Sequence, residues 1–287
     1  MTTTDLDSPA VTTATPDAAG STFSIYGRAV LKAFAPLLVS AIVATIAWEA
    51  FLRFYDINPL VGKTPAAVWE YMFTAPEASA NRSAVFDPLG TTLRDASIGF
   101  VAGMIAAIAV AVGFVLFRSV EQALMPVAML LRSVPLVAMT PLITLIFGHG
   151  LAGVSVIAGI VVFFPALVTI AFGLRSVNPQ SHDLVVAYGG SEFTVLRKLA
   201  FPTALPAIFA AARISVPGAL IGALVAEWLA TGQGIGGVIL RDIGAFGYDN
   251  LWASVISLTA FSILLYTLVG LVETFVLARF GPAPDDH

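Results

Sequence analysis

Apolar runs of membrane-crossing length alternate with short polar stretches along the chain from residue 33 to residue 278. A helix that crosses the hydrocarbon core of a bilayer needs about 20 mostly apolar residues. Residues 33–54, 97–117, 123–147, 153–174, 204–230 and 252–278 meet that requirement. The ten-residue alternation of a transmembrane β-barrel does not occur. The pattern therefore predicts an all-α integral membrane protein with about six transmembrane helices. Trp48, Phe51 and Tyr55 close the first run and Trp252 opens the last, the placement of interfacial aromatics. Residues 56–93 form the longest connection, divided by Pro59, Pro65, Pro76 and Pro88, and AAVWEYMF at 66–73 suits a short interfacial helix.

Composition strengthens this picture. Of 287 residues, 58% are hydrophobic and only 11% charged, and the mean hydropathy is +0.91. Soluble domains carry about 25% charged residues, so this mixture cannot clothe a water-facing surface. The net charge of -4 gives no footprint for nucleic acid. Cysteine is absent, which excludes disulfides, thiol chemistry and cysteine metal sites. Residues 1–28 are rich in Thr, Ala, Asp and Pro and read as a disordered cytoplasmic tail. One membrane domain is expected over 29–280, followed by a short cytoplasmic tail at 281–287. With the N-terminus inside, Arg28, Lys32, Arg118, Arg175, Arg197, Lys198 and Arg279 face the cytoplasm, against Arg53, Lys63, Arg82, Arg94 and Arg241 outside. That slight basic excess favours this orientation.

One internal stretch stands apart from the apolar pattern: DLVVAYGGSEFTVLRKLAFPTALP, residues 183–206. Asn178-Pro179 is a helix-start signal, because proline suits the first helical turn. Leu184, Val185 and Tyr188 give the helix an apolar face, and Gly189-Gly190 should break it. Ser191 can cap a second short helix with Glu192 in its first turn and Arg197-Lys198 in its last, as the helix dipole favours. Pro202 is expected to stop that helix and Pro206 to start the fifth span. The result is a helix–elbow–helix with an exposed apolar side. Physically it suits either a helix lying on headgroups or one offered to a groove on a partner.

The stretch resembles the coupling motif of binding-protein-dependent ABC importer permeases: E-A-A, three residues, Gly, nine residues, I-x-L-P. The opening three fall on Asp183-Leu184-Val185, the glycine on Gly189 and the closing residues on Leu199-Ala200-Phe201-Pro202. Asp replaces the opening Glu, and both alanines are replaced. TTLRDASIGFVAG, LLRSVPLVAMTPLITLIFGHG and FPTALPAIFAAARISVPGALIGALVAEWLATGQGIGGVI, in that order, resemble the nitrate/sulfonate/taurine/bicarbonate group of these permeases. The resemblance covers about residues 59–279. It implies a type I-like importer permease fold in the bacterial cytoplasmic membrane with both termini cytoplasmic. It further implies a permease homodimer, two copies of an ATPase subunit that bind the ATP, a solute-binding protein and a small oxyanion as cargo. Related permeases also carry neutral vitamin precursors and aromatic acids. The ATPase-coupling residues it implies are Asp183, Leu184, Val185, Ala187, Tyr188, Gly189, Gly190 and Pro202. Closure of the ATPase on this element would move the membrane helices.

The remaining signals are consistent with a subunit that has no chemistry or cofactor of its own. GQGIGG at 232–237 formally matches a dinucleotide fingerprint, but it follows a membrane helix rather than a strand, so it reads as a tight re-entrant turn. No Walker-type phosphate loop occurs. His149, His182 and His287 show no metal-ligand spacing, and no Ser/His/Asp set shares one depth. A secondary transporter would need intramembrane carboxylates and inverted repeats; Glu49, Glu121, Glu227 and Glu273 all lie toward span ends. Two arginines fall within spans, where a charge costs at least about 2.5 kcal/mol and usually faces a cavity or a partner. Arg132, followed by Ser133 and the kinking prolines Pro135 and Pro141, is placed on the translocation path, together with Glu227 and Gly234 of the outer glycine-rich turn; the competing reading puts Arg132 at the cytoplasmic surface, with residues 120–132 lying flat and the third span starting later. For Arg213 a structural pair is at least as good a reading. Glu227 lies about 21 Å from it along the helix, too far to be that partner.

Overall fold

The computed structural model describes residues 38–280. The expected tails, and the expected first span before residue 38, lie outside the described residues. The chain divides into two compact units at Pro65. In the first, helix α1 (38–54) carries the described part of the first expected span. It ends in an aromatic cluster, with the Phe51 and Tyr55 rings 4.8 Å apart and Arg53 paired with Glu49 at 2.6 Å.

Every regular element among the described residues of the second unit is a helix. Helix α2 (Pro65–Trp69) runs into a π-helical turn, Glu70–Thr74, a short helix where one is expected at 66–73. Then follow α3 (Ala78–Leu116), α4 (Arg118–Arg132), α5 (Leu136–Phe147), α6 (Leu151–Leu174), α7 (Pro179–Ala187), α8 (Glu192–Val195), α9 (Phe201–Ala226), α10 (Gly234–Ala245) and α11 (Tyr248–Phe280). Among the described residues, four continuous helices are long and apolar enough to cross a membrane, and α4 with α5 makes a fifth, bent candidate.

Three expectations need correction. The connection at 56–93 is shorter than expected, because α3 begins at Ala78 and holds Pro88 inside it. At 39 residues α3 is about 58 Å long, nearly twice the hydrocarbon thickness. Its less apolar first half is therefore helix beyond the apolar run, which hydropathy cannot distinguish from a loop. The third span, expected at 123–147, is not one helix: α4 and α5 meet at 104°. Pro135 disfavours helical geometry at Val134, and Ser133 closes α4 with its hydroxyl donating to the Leu130 carbonyl at 2.6 Å. Finally, Pro202 does not stop the helix that starts at Glu192, which continues to Thr231. A π-helical turn at Leu196–Ala200 shifts the hydrogen bonds one residue wider, so that the Phe201 N–H donates to the Leu196 carbonyl. The widened turn accommodates a proline that lacks an N–H and would clash with the carbonyl four residues back in a straight α-helix.

Helix α6 is the hub, with more than half of its apolar window buried. It approaches α3 through glycines. A Cβ on Gly99 would lie 2.6 Å from the Ala158 Cβ, and one on Gly103 would lie 2.6 Å from the Gly159 carbonyl oxygen. Helix α9 packs on the neighbouring face, where Gly222 meets the backbone of the same Ala158. Small residues let membrane helices approach closely enough for dispersion to hold them. Helix α11 is peripheral; among its described side chains only Ala253 and Ser254 are buried.

Candidate functional site

The helix–elbow–helix forms where the sequence predicts it, and each boundary has a local cause. Asn178 caps α7, its side chain accepting from the Gln180 N–H at 2.9 Å, with Pro179 in the first turn. At the other end the Gly189 N–H donates to the Val186 carbonyl and the Gly190 N–H to the Val185 carbonyl, both at 2.9 Å. This is the Schellman pattern, and it requires left-handed backbone at Gly189, where φ is +82°. Gly190 is needed for space: a Cβ there would lie 2.5 Å from Val185 Cγ1. Ser191 caps α8, and its carbonyl accepts from Val195 at 3.0 Å.

No residue of α7 is buried. Asp183, Leu184, Ala187, Tyr188 and Gly189 are exposed, Val185 and Gly190 half-buried. Tyr188, at 86% exposure, and Phe193 stand out together with Leu184 as an apolar set that no described residue covers. Pro202, by contrast, lies away from α7, in a groove beside α8 and α9. His182 bridges the elbow, with Nδ1 3.4 Å from Asp183 Oδ1 and Nε2 3.5 Å from Glu192 Oε1. The hydrogen bond to Asp183, and then the one to Glu192, hold its pKa above the ordinary imidazole value despite some desolvation. Beneath α7 lies a cavity of about 540 Å³ lined by Arg118, Arg175, Pro179, His182, Glu192 and neighbouring apolar side chains. Arg175 is ion-paired with the buried Glu121 of α4.

The residues expected on a translocation path fall into two separate sets. Arg132, Ser133 and Pro135 are exposed at the α4–α5 corner. Among the described residues, Arg132 is the only charged side chain lining a groove of about 330 Å³ between that corner, α6 and α9. A separate helix ending at Arg132, with the next starting at Leu136, departs from a single kinked span and agrees with the later start of the competing reading.

Glu227 and Gly234, in contrast, are closed inside the chain. Glu227 is 1% exposed. Its carboxylate accepts from the Thr92 hydroxyl at 2.7 Å and from the Gly236 N–H at 2.8 Å. Thr92 in turn accepts from the Ile235 N–H at 2.9 Å. The two side chains thus take up two of the otherwise unpaired N–H groups that open α10. The glycine turn is required by this arrangement. Gly232 and Gly234 have φ of +63° and +65°, and a Cβ on Gly234 would fall onto the Glu227 carboxylate. Sequence reasoning missed Thr92, because nothing local relates a threonine on α3 to a turn 135 residues away.

Arg213 has its pair within the chain. It donates to Glu273 at 3.1 Å and to the Tyr266 hydroxyl at 2.9 Å, and its guanidinium carbon lies 4.7 Å from the Tyr266 ring centre. It ties α9 to α11. Among the described residues no group of three or more His, Asp or Glu side chains could hold a metal ion.

Residues 99–281 match the model of the family described as binding-protein-dependent transport system inner membrane component. A probable ABC transporter permease protein of Haemophilus influenzae is 27% identical over 236 residues, 82% of this chain and 94% of that one. The riboflavin transport system permease protein of Chloroflexus aurantiacus is 32% identical over 160 residues, 56% of this chain and 60% of its own length. The putative aliphatic sulfonates transport permease protein of Bacillus subtilis is 27% identical over 244 residues, 84% of this chain and 86% of its own.

Proposed function

The chain belongs to the binding-protein-dependent inner membrane components, the permease subunits of ABC importers, and from that premise we propose that α7, its glycine elbow and α8 are the surface on which an ATP-hydrolysing partner docks. The observation that carries this reading is the uncovered set Leu184, Tyr188 and Phe193, on a rigidly terminated corner that continues into α9 without a break. A push on α7 therefore reaches a membrane helix through one hydrogen-bonded corner, the Schellman turn and the Ser191 cap, beyond which the helix is unbroken. In this reading the α7 end faces the cytoplasm, ATP binds to the partner alone, two permease copies and two ATPase subunits make the transporter, and a solute-binding protein delivers the cargo outside. Gly189→Val tests it, because valine is strained at φ +82° and the Schellman turn is lost. Uptake and co-purification of the ATPase subunit should both be lost while the permease still reaches the membrane. Normal uptake with normal ATPase assembly refutes the assignment.

For the cargo we propose a small oxyanion. Arg132 is the support, since an anion entering the otherwise apolar α4–α6–α9 groove meets one cation and is stabilised there in a low-dielectric surround. Arg132→Gln should slow anion uptake sharply and Arg132→Lys should keep part of it, both with normal membrane insertion. Normal uptake by Arg132→Gln removes Arg132 from the path.

A further inference from the structure

A second groove, of about 500 Å³, opens at the end of the bundle that carries α7. Val112 of α3, Leu196, Phe201 and Leu205 along the α8–α9 helix, and Val276 of α11 line its apolar body; Phe193, one edge of the docking set above, forms its rim, and Arg197 is its only charged lining residue among the described residues. Arg197 is exposed and, among the described residues, has no carboxylate partner, as is also true of Arg279. Arg279 stands three residues beyond Val276, on the same face of α11 one turn nearer its end. The one acid a turn before Val276 is Glu273, whose charge is already matched by Arg213. An apolar slot lined by one guanidinium group, with a second one turn beyond its Val276 wall and neither matched by a described carboxylate, on a chain that lives in a bilayer, has the chemistry of a lipid tail topped by a phosphate.

We propose that this groove is a binding site for one acidic phospholipid, its acyl chain between α3, α9 and α11 and its phosphate on Arg197 and Arg279. Guanidinium groups suit this role because they donate to phosphate oxygens bidentately and are weakly hydrated. The floor of the groove includes the π-helical turn Leu196–Ala200 and Pro202. The bound lipid would fill the widened turn on its apolar side.

The test reads lipid mass rather than transport, so its failure is distinct from failure of the ATPase-docking reading. The full-length permease, purified from phosphatidylglycerol-containing membranes, is analysed by native mass spectrometry. One phosphatidylglycerol should be retained per chain in preference to phosphatidylcholine. Each of Arg197→Gln and Arg279→Gln should weaken that preference about fivefold, from about 1 kcal/mol per basic residue at an anionic surface and 1.4 kcal/mol per factor of ten. Val276→Trp, which keeps both arginines but fills the slot, should also lose the lipid. Equal retention of the two lipids, or undiminished phosphatidylglycerol in the double arginine variant or in Val276→Trp, overturns the proposal. In intact membranes a photo-crosslinking residue at position 205 should gain the mass of one phospholipid. A crosslink to the chain's own N-terminal segment, to a second copy or to another protein overturns it equally.

Discussion

Glu227→Ala should destabilise the permease by roughly 3–8 kcal/mol, while Glu227→Gln should cost less than about 1 kcal/mol. Alanine removes a fully buried side chain, and large-to-small changes in a core cost about 2–5 kcal/mol. It also leaves the Gly236 N–H with no acceptor, a loss of about 1–3 kcal/mol. The Thr92 hydroxyl suffers less, because the Pro88 carbonyl is already 3.3 Å away as an alternative acceptor. Glutamine keeps the volume and can satisfy every group. Its oxygen accepts from Gly236, its amide donates to Thr92, and the Thr92 hydrogen turns to Pro88. Gly234→Ala supplies the second leg of a cycle. Its Cβ would meet the Glu227 carboxylate, and left-handed backbone adds about 1–2 kcal/mol for any L side chain. In the Glu227→Ala background the collision disappears, so the double variant should be less damaged than the sum of the singles. Equilibrium unfolding of the full chain in mixed micelles, with thermal midpoints in parallel, gives all four corners. Additive losses would refute the contact. A glutamine variant as unstable as alanine would show that the negative charge matters rather than the hydrogen-bond pattern.

Gly99→Ala should destabilise by about 1–3 kcal/mol through overpacking at the α3–α6 crossing, whereas Gly90→Ala on the same helix, with open space at its Cβ, should stabilise by about 0.4–1 kcal/mol; the same unfolding assay compares them. Glu273→Gln should cost about 1.5–3 kcal/mol because it leaves the Arg213 guanidinium without its charge partner, and Arg213→Met combined with Glu273→Met should recover most of that loss. The His182 bridge should be favourable at and below about pH 6.5 and fade as pH rises through its raised folded pKa, since a pKa lifted by folding contributes only while the proton is held. Imidazole NMR titration should give a midpoint above about 6.5 that falls in Glu192→Gln; an unchanged midpoint would show that Glu192 is not a partner, the cationic neighbours Arg118 and Arg175 being the same in both proteins.

What the sequence determined by itself was set by signals acting within one or two helical turns. Run length and composition fixed a bundle of membrane helices. Asn178-Pro179, Gly189-Gly190 and Ser191 fixed both ends of the elbow, because caps and Schellman turns are closed by hydrogen bonds between residues two to five positions apart. The same local logic misjudged Pro202 and Pro88. A proline's penalty is local, but its compensation comes from a π-helical turn or from neighbours that hold the helix together. Only the tertiary structure decided how Glu227 is used. Its partners are Thr92 on α3 and the N–H of Gly236, which become a site only when α10 folds back against α3. It likewise gave Arg213 its acid, 60 residues away on α11, and put Arg132 at the exposed 104° corner between α4 and α5 rather than within one kinked helix. In a bilayer nearly every helix face is apolar, so hydropathy records which segments are buried in lipid or protein without distinguishing the two. Which polar side chain meets which partner is settled by the close approach of helices at glycines such as Gly99, Gly103 and Gly222, and that registry has no one-dimensional signature.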